Sequence, residues 1–174
     1  MNWKKVGFWG VSRLALVFIF SAGIQKDLFV PFLSSSNLNL IDPWSAWTNS
    51  LGRTDAFPYG FAMYLGFLPA ILIHRMLQVL SIDLNFEVLV FSTLLIVEFV
   101  LYKVIRVFDK KGVRKGWSWL AIFSPIALFI TYVHGQIDSI PTTFLVFSSL
   151  YILKNSWFKA GLFMGLAFAA KFSF

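Results

Sequence analysis

The 174 residues contain no cysteine. That excludes disulfides, thiolate metal sites and a cysteine nucleophile. Charge is scarce as well: Asp, Glu, Lys and Arg make up 13% of the chain, against about a quarter in an ordinary soluble domain. No glycine-rich phosphate loop of the usual kinds is present, so no nucleotide cofactor is expected.

What the chain has instead is apolar surface. It is 58% hydrophobic, with 21 phenylalanines and seven tryptophans, and its mean hydropathy is +0.75. Lipid is the natural solvent for such a chain, with Trp at the interfaces. A net charge of +7 would suit nucleic acid in a soluble protein. Here the bases gather at the ends of apolar runs, as in cytoplasmic membrane loops, and no nucleic-acid partner is expected.

Hydropathy predicts an all-α, polytopic bundle of about five transmembrane spans. They cover 6–24, 86–108, 117–133, 140–153 and a last run from 160 to the end. A bilayer core of about 30 Å needs about 20 apolar residues. A cleaved signal peptide is the rival reading of the first run, with Ser21-Ala22-Gly23 as its small-residue site; the membranous remainder favours an uncleaved helix. Residues 25–85 read as an extracytoplasmic loop with juxtamembrane helices, all within a single membrane domain spanning 1–174. The apolar run 61–73 is too short to cross and is interrupted by His74 and Arg75, so it is expected to lie along the outer surface. With that helix outside, Lys4, Lys5 and the bases between Lys103 and Lys115 all fall on the cytoplasmic side. The N-terminus is then cytoplasmic, and Asp27, Asp42, Asp55, Asp83, Glu87 and Asp138 face the opposite side.

Several polar residues suit chemistry at that outer face. Asp27, just past the first run, is a candidate general base or a plain loop residue capping a helix. Asp42, in Asp42-Pro43-Trp44, reads first as an N-cap with Pro at the first helical position, and second as catalytic. Trp44 and Trp47 share a face, as interfacial anchors would. Asp55 and Tyr59 flank a turn. His134-Gly135-Gln136-Ile137-Asp138 is the sharpest cluster. Its imidazole, amide and carboxylate suit hydroxyls and a phosphate ester, and Gly135 permits close backbone approach. Two potential ligands, His134 and Asp138, are too few for a metal site. Among the charges inside spans, Arg13 and Glu98 lie at similar depth and are expected to pair. Lys171 is a candidate phosphate ligand or a partner for Asp138.

These landmarks have a familiar order. An Asp follows the first span, then Pro58-Tyr59-Gly60-Phe61-Ala62-Met63-Tyr64, a long span, a basic loop, a span ending in His-Gly-Gln-x-Asp, and a helix ending Ala169-Ala170-Lys171-Phe172. The chain resembles, over essentially its whole length, the N-terminal part of GT-C membrane glycosyltransferases, especially the polyprenyl- or dolichyl-phosphate-sugar-dependent mannosyltransferases. The resemblance implies transfer of a hexose, with mannose the leading case, from a lipid-phosphate-linked donor to an acceptor hydroxyl on the extracytoplasmic face. The acceptor is a lipid, glycan or protein, and the membrane is a plasma (inner) or endoplasmic reticulum membrane. Asp27, with Asp42 second, is implied as catalytic base. Asp55, Tyr59, His134, Gln136, Asp138 and Lys171 are implied in substrate binding, with no metal and no cofactor. Two departures stand out: Gly60, where relatives often carry a second proline, and the lack of an Asp-x-Asp pair. The family's members are longer, so the chain reads as the front portion of such a module. The competing classes are a transporter or flippase, which would bury polar groups near the bilayer midplane, and a non-catalytic membrane subunit.

Overall fold

The computed structural model describes residues 3–19, 23–35, 42–51, 57–110 and 124–171. Asp55 and most of the basic loop after Lys110 lie outside these residues. Among the described residues all regular structure is helical. Helix α1 is Trp3–Ile19. A π-helical turn, Gln25–Phe29, runs into α2, Val30–Ser35. Then come α3, Pro43–Leu51, α4, Phe61–Val79, and α5, Phe86–Lys110. Helix α6, Pro125–Leu128, passes into a second π-helical turn, Phe129–Val133. Helices α7, Ser139–Leu153, and α8, Trp157–Lys171, complete the chain.

Two of these helices are long and apolar enough to cross a membrane, Phe61–Val79 and Phe86–Phe108. The first differs from the sequence expectation. Hydropathy ends it at Ile73, but the helix continues through His74 and Arg75 to Val79, about 28 Å at 1.5 Å per residue. The polar side chains are accommodated because they fall at the closed end of a hairpin. The His74 ring sits 4.8 Å from that of Phe86, and its Nε2 lies 3.0 Å from Gln78 Nε2. A membrane-spanning role for five segments does not follow from helix length: α7 is a shorter apolar helix of 15 residues.

Each helix reversal has a local cause. Helix α4 ends with Ser81 at φ 58°, the N–H of Ile82 donating to Leu77 O at 2.9 Å and that of Ser81 to Gln78 O at 3.0 Å. Helix α7 ends the same way at Asn155, φ 54°, with Ser156 N–H on Tyr151 O and Asn155 N–H on Ile152 O, both at 2.9 Å. Both are Schellman closures with a left-handed residue after the helix. The α7–α8 hairpin is then zipped by Ser148, whose buried hydroxyl donates to Ala160 O at 2.9 Å, and by Tyr151 stacked on Phe163 at 5.4 Å.

The core is a stripe from each helix. Met63, Phe67 and Ala70–Ile71 of α4 and Phe86, Val90 and Leu94 of α5 recur at helical spacing and are buried. Ile137, from the turn before α7, Ile140 of α7 and Ala170 of α8 join the same cluster. Gly66 lets α4 approach α7: a Cβ there would lie 3.3 Å from Ile140 Cδ1.

A second, aromatic part of this core sits over the start of α4. Phe32 of α2 stacks on Phe57 at 4.7 Å, nearly parallel, and Trp47 of α3 meets Phe32 edge-on at 5.8 Å. Trp44 donates its Nε1–H to Phe57 O at 3.0 Å. The two tryptophans expected as interfacial anchors are packed against these rings, and Trp47 is 7% exposed.

Candidate functional site

The polar cluster forms where three elements end together. Gly60, the extended residue before α4 (φ −80°, ψ 174°), donates its N–H to Ala170 O at 3.1 Å. That bond fixes Tyr59 beside the last turn of α8. Lys171 Nζ then lies 2.6 Å from Asp138 Oδ1 and 5.4 Å from the centre of the Tyr59 ring. Asp138 stands at the N-terminus of α7, where the helix dipole favours negative charge. Carboxylate, ammonium and phenol thus converge from three chain segments. The hydroxyl of Tyr59 is pushed up to about 12 by burial first, and by the nearby Asp138 charge second, so it stays a hydrogen-bond donor at all physiological pH values.

His134, Gln136 and Asp138 sit on a sharp exit from the second π turn. The N–H of His134 reaches back to Phe129 O at 2.9 Å and that of Gln136 to Ile130 O at 3.0 Å, one residue further than an ordinary helix exit. Gly135 takes φ 82°, a left-handed conformation that glycine adopts without penalty. The result splits the motif. Ile137 is fully buried as its anchor, Asp138 faces Lys171, and His134 is exposed.

The expected aspartates fare differently. Asp27 is exposed on the first π turn. That turn is joined to the cluster through Phe29, whose ring is 5.4 Å from that of Tyr59. Asp42 caps α3. Its Oδ1 accepts the Ser45 N–H at 2.9 Å, its Oδ2 accepts the Ser45 hydroxyl, and these bonds hold its carboxyl below the usual carboxylate range. This is the N-cap reading of Asp42-Pro43. Asp55 lies outside the described residues.

The two charges expected within spans, Arg13 and Glu98, pair as expected. Arg13, 1% exposed, places Nε 3.2 Å from Glu98 Oε2. Sequence reasoning missed one further partner of this pair and a second buried polar contact beside it. Tyr132 donates its hydroxyl to the same Glu98 oxygen at 2.8 Å. Gln25, fully buried, donates Nε2–H to Thr131 O at 3.4 Å. The one signal for Gln25 was an amide at the exit of an apolar run. A partly open cavity of about 280 Å³ connects these levels, with Arg13 and Glu98 on its wall together with Asp138, Ser139 and Thr142. Its remaining lining is mainly aliphatic, from Leu101, Ile105 and Leu128 among others. Among the described residues no group of three His, Asp or Glu side chains is placed to hold a metal ion.

Two helices long and apolar enough to cross a membrane, in a chain that is helical throughout its described regular structure and gathers a polar cluster at helix ends, mark a membrane-associated helical protein. The chain belongs to glycosyltransferase family 87, whose model matches residues 57–173. It is therefore a glycosyltransferase, with a sugar donor and an acceptor as substrates. The matched segment contains Tyr59, His134, Gln136, Asp138 and Lys171, while Asp27, Asp42 and Asp55 precede it. No curated protein and no solved structure matches the chain.

Proposed function

We propose that the protein transfers a hexose, with mannose the leading case, from a lipid-phosphate-linked donor to an acceptor hydroxyl at the extracytoplasmic face of its membrane. The observation that carries this reading is the convergence of Tyr59, Asp138 and Lys171, with Asp138 also on the wall of a mainly aliphatic cavity. A lipid-phosphate sugar has one anionic phosphate between an apolar tail and a polyol. Lys171, the sole base in this cluster among the described residues, suits the phosphate, and the N-terminal end of α7 adds positive potential beside it. Tyr59, as a permanent donor, His134 and Gln136 suit sugar hydroxyls. Asp138 holds Lys171 in place and offers its second oxygen to a hydroxyl.

Asp27 is the favoured base. It would take the proton of the acceptor hydroxyl as that oxygen attacks the anomeric carbon and the lipid phosphate leaves. Asp42 is the weaker candidate because both its oxygens are engaged by Ser45. A transporter is the poorer reading: the buried charges Arg13 and Glu98 are neutralised by each other.

The test is a transfer assay in membranes containing the full chain. Polyprenyl-phosphate [14C]mannose and polyprenyl-phosphate [14C]glucose would be offered as donors beside the matching nucleotide sugars. Label passing from a lipid phosphate, and lost in Asp138→Asn, supports the reading. Transfer from the nucleotide sugar alone would sink it.

A further inference from the structure

The His134–Asp138 turn is exposed on one side only. Behind it, two consecutive residues of the preceding π turn are tied to the interior. A π turn carries one more residue per hydrogen-bonded ring than an α-helix, and such turns recur at functional sites because they re-aim the chain beyond them. At the exit of this one, the N–H groups of His134 and Gln136 go to Phe129 and Ile130. The carbonyls of the last turn are left without a continuing helix to serve them. The Thr131 carbonyl accepts from Gln25. Tyr132, next in sequence and 2% exposed, donates to Glu98.

We propose that Glu98 and Gln25 are positioning residues, and that the buried Arg13–Glu98 pair exists to latch the π turn and so aim the His134–Asp138 motif; this rests on that motif being the substrate site. The geometry gives the latch its parts. One carboxylate oxygen, Glu98 Oε2, receives both the Arg13 Nε–H at 3.2 Å and the Tyr132 hydroxyl at 2.8 Å. Arg13 supplies the counter-charge to the Glu98 carboxylate at 3.2 Å, and a buried charge is tolerated when paired. An ionised acceptor makes the stronger bond to a phenol. Arg13 is itself braced, its guanidinium 5.8 Å from the Trp9 ring centre and 3.4 Å from the Ser12 hydroxyl. Gln25 belongs to the π turn that carries Asp27. Its bond to Thr131 couples the segment bearing the favoured base to the segment bearing the motif. The two sides of the reaction are thereby held in one frame. Loss of either bond leaves the helices packed through Phe67, Val90, Leu94 and Ile140 but frees the turn.

The test reads the aim of the turn directly. The chain has no cysteine, so a spin label is placed at His134→Cys, with Ser149→Cys on the exposed face of α7 as control. Tyr132→Phe removes one hydroxyl and keeps the ring. It is expected to sharpen the spectrum at position 134 at least two-fold in mobile fraction and to leave position 149 unchanged. In the unlabelled chain, with polyprenyl-phosphate [14C]mannose, or the glucose donor if that is the one used, kcat is expected to fall about ten-fold with donor KM within two-fold. Gln25→Met should act in the same direction. The neutral pair Arg13→Gln with Glu98→Gln keeps an acceptor for Tyr132 and should recover most of the kcat lost in Arg13→Leu with Glu98→Leu. A Tyr132→Phe chain with wild-type spectrum and kcat overturns the proposal. So does one that loses its folded size-exclusion peak, because the bond is then merely structural. If Asp138→Asn keeps full activity while Tyr132→Phe still frees the label, the latch stands and the site reading fails.

Discussion

Gly60 and Ala170 share a backbone hydrogen bond of 3.1 Å, joining the start of α4 to the last turn of α8. The bond needs an N–H at position 60, which proline lacks. Gly60→Pro would leave the Ala170 carbonyl, in a fully buried residue, without its donor. The expected cost is about 1–3 kcal/mol, read as a lower thermal midpoint, together with weakened transfer because Tyr59 loses its tether to Lys171.

The Asp138–Lys171 pair is expected to matter for chemistry and little for stability. Its side chains are 32% and 53% exposed, and exposed ion pairs contribute about 0–1 kcal/mol. Lys171→Met should shift the unfolding free energy by less than about 1 kcal/mol. Sugar transfer should fall about 100-fold or more, as when a preorganised charge is removed from a developing anion. A large stability loss with normal transfer would reassign the pair to structure.

The two loop aspartates should separate cleanly. Asp42→Ala loses a helix cap and is expected to lower stability at neutral pH while transfer by the folded fraction persists. Because the folded carboxyl titrates below its ordinary value of 3.8, its stabilisation is present above that pH and is lost as pH falls through the lower folded value. Asp27→Asn, by contrast, should leave the midpoint nearly unchanged and cut kcat by a factor of about 100 to 10,000, the range for a general base.

Tyr59 predicts an alkaline signature. Its folded value of about 12 lies above the ordinary 10.0, so the folded state favours the protonated phenol. The associated stability is complete below about pH 10 and disappears as pH rises towards about 12. Midpoints measured across that window should fall less steeply for Tyr59→Phe, which cannot ionise, than for the parent chain.

Topology can be read from single cysteines. Ser35 closes α2, whose Phe32 packs beside the start of α4, and Ser81 follows α4's far end. With α4 crossing the membrane, Ser35→Cys and Ser81→Cys should label with an impermeant thiol reagent from opposite faces. Labelling of both from one face would return α4 to the membrane surface, where hydropathy alone sets it.

The sequence by itself determined the solvent and the class. Composition and apolar run length are sums over local residues, and they made the chain helical and membranous without any contact information. It also marked the residues that need local partners only. Asp42 caps the helix that Pro43 begins, and Gly135 takes the left-handed turn that aims the motif. The pairing of Arg13 with Glu98 was legible for a related reason: two lone charges at similar depth have few other ways to survive in lipid.

Tertiary structure decided everything that depends on how the helices pack. Hydropathy broke α4 at His74, since it cannot see that Phe86 and Gln78 receive that ring at the closed end of a hairpin. Nor can it see the contacts of Trp44 and Trp47 with Phe57 and Phe32, which come from other segments. The roles of Gln25 and Tyr132 were hidden for the same reason. Each acquires its meaning from one acceptor, Thr131 O or Glu98 Oε2, brought within hydrogen-bond reach only by the packing of the first π turn, α5 and the second π turn. Hydrophobic periodicity specifies which face of a helix is buried, but not which polar atom of a distant segment lies behind it.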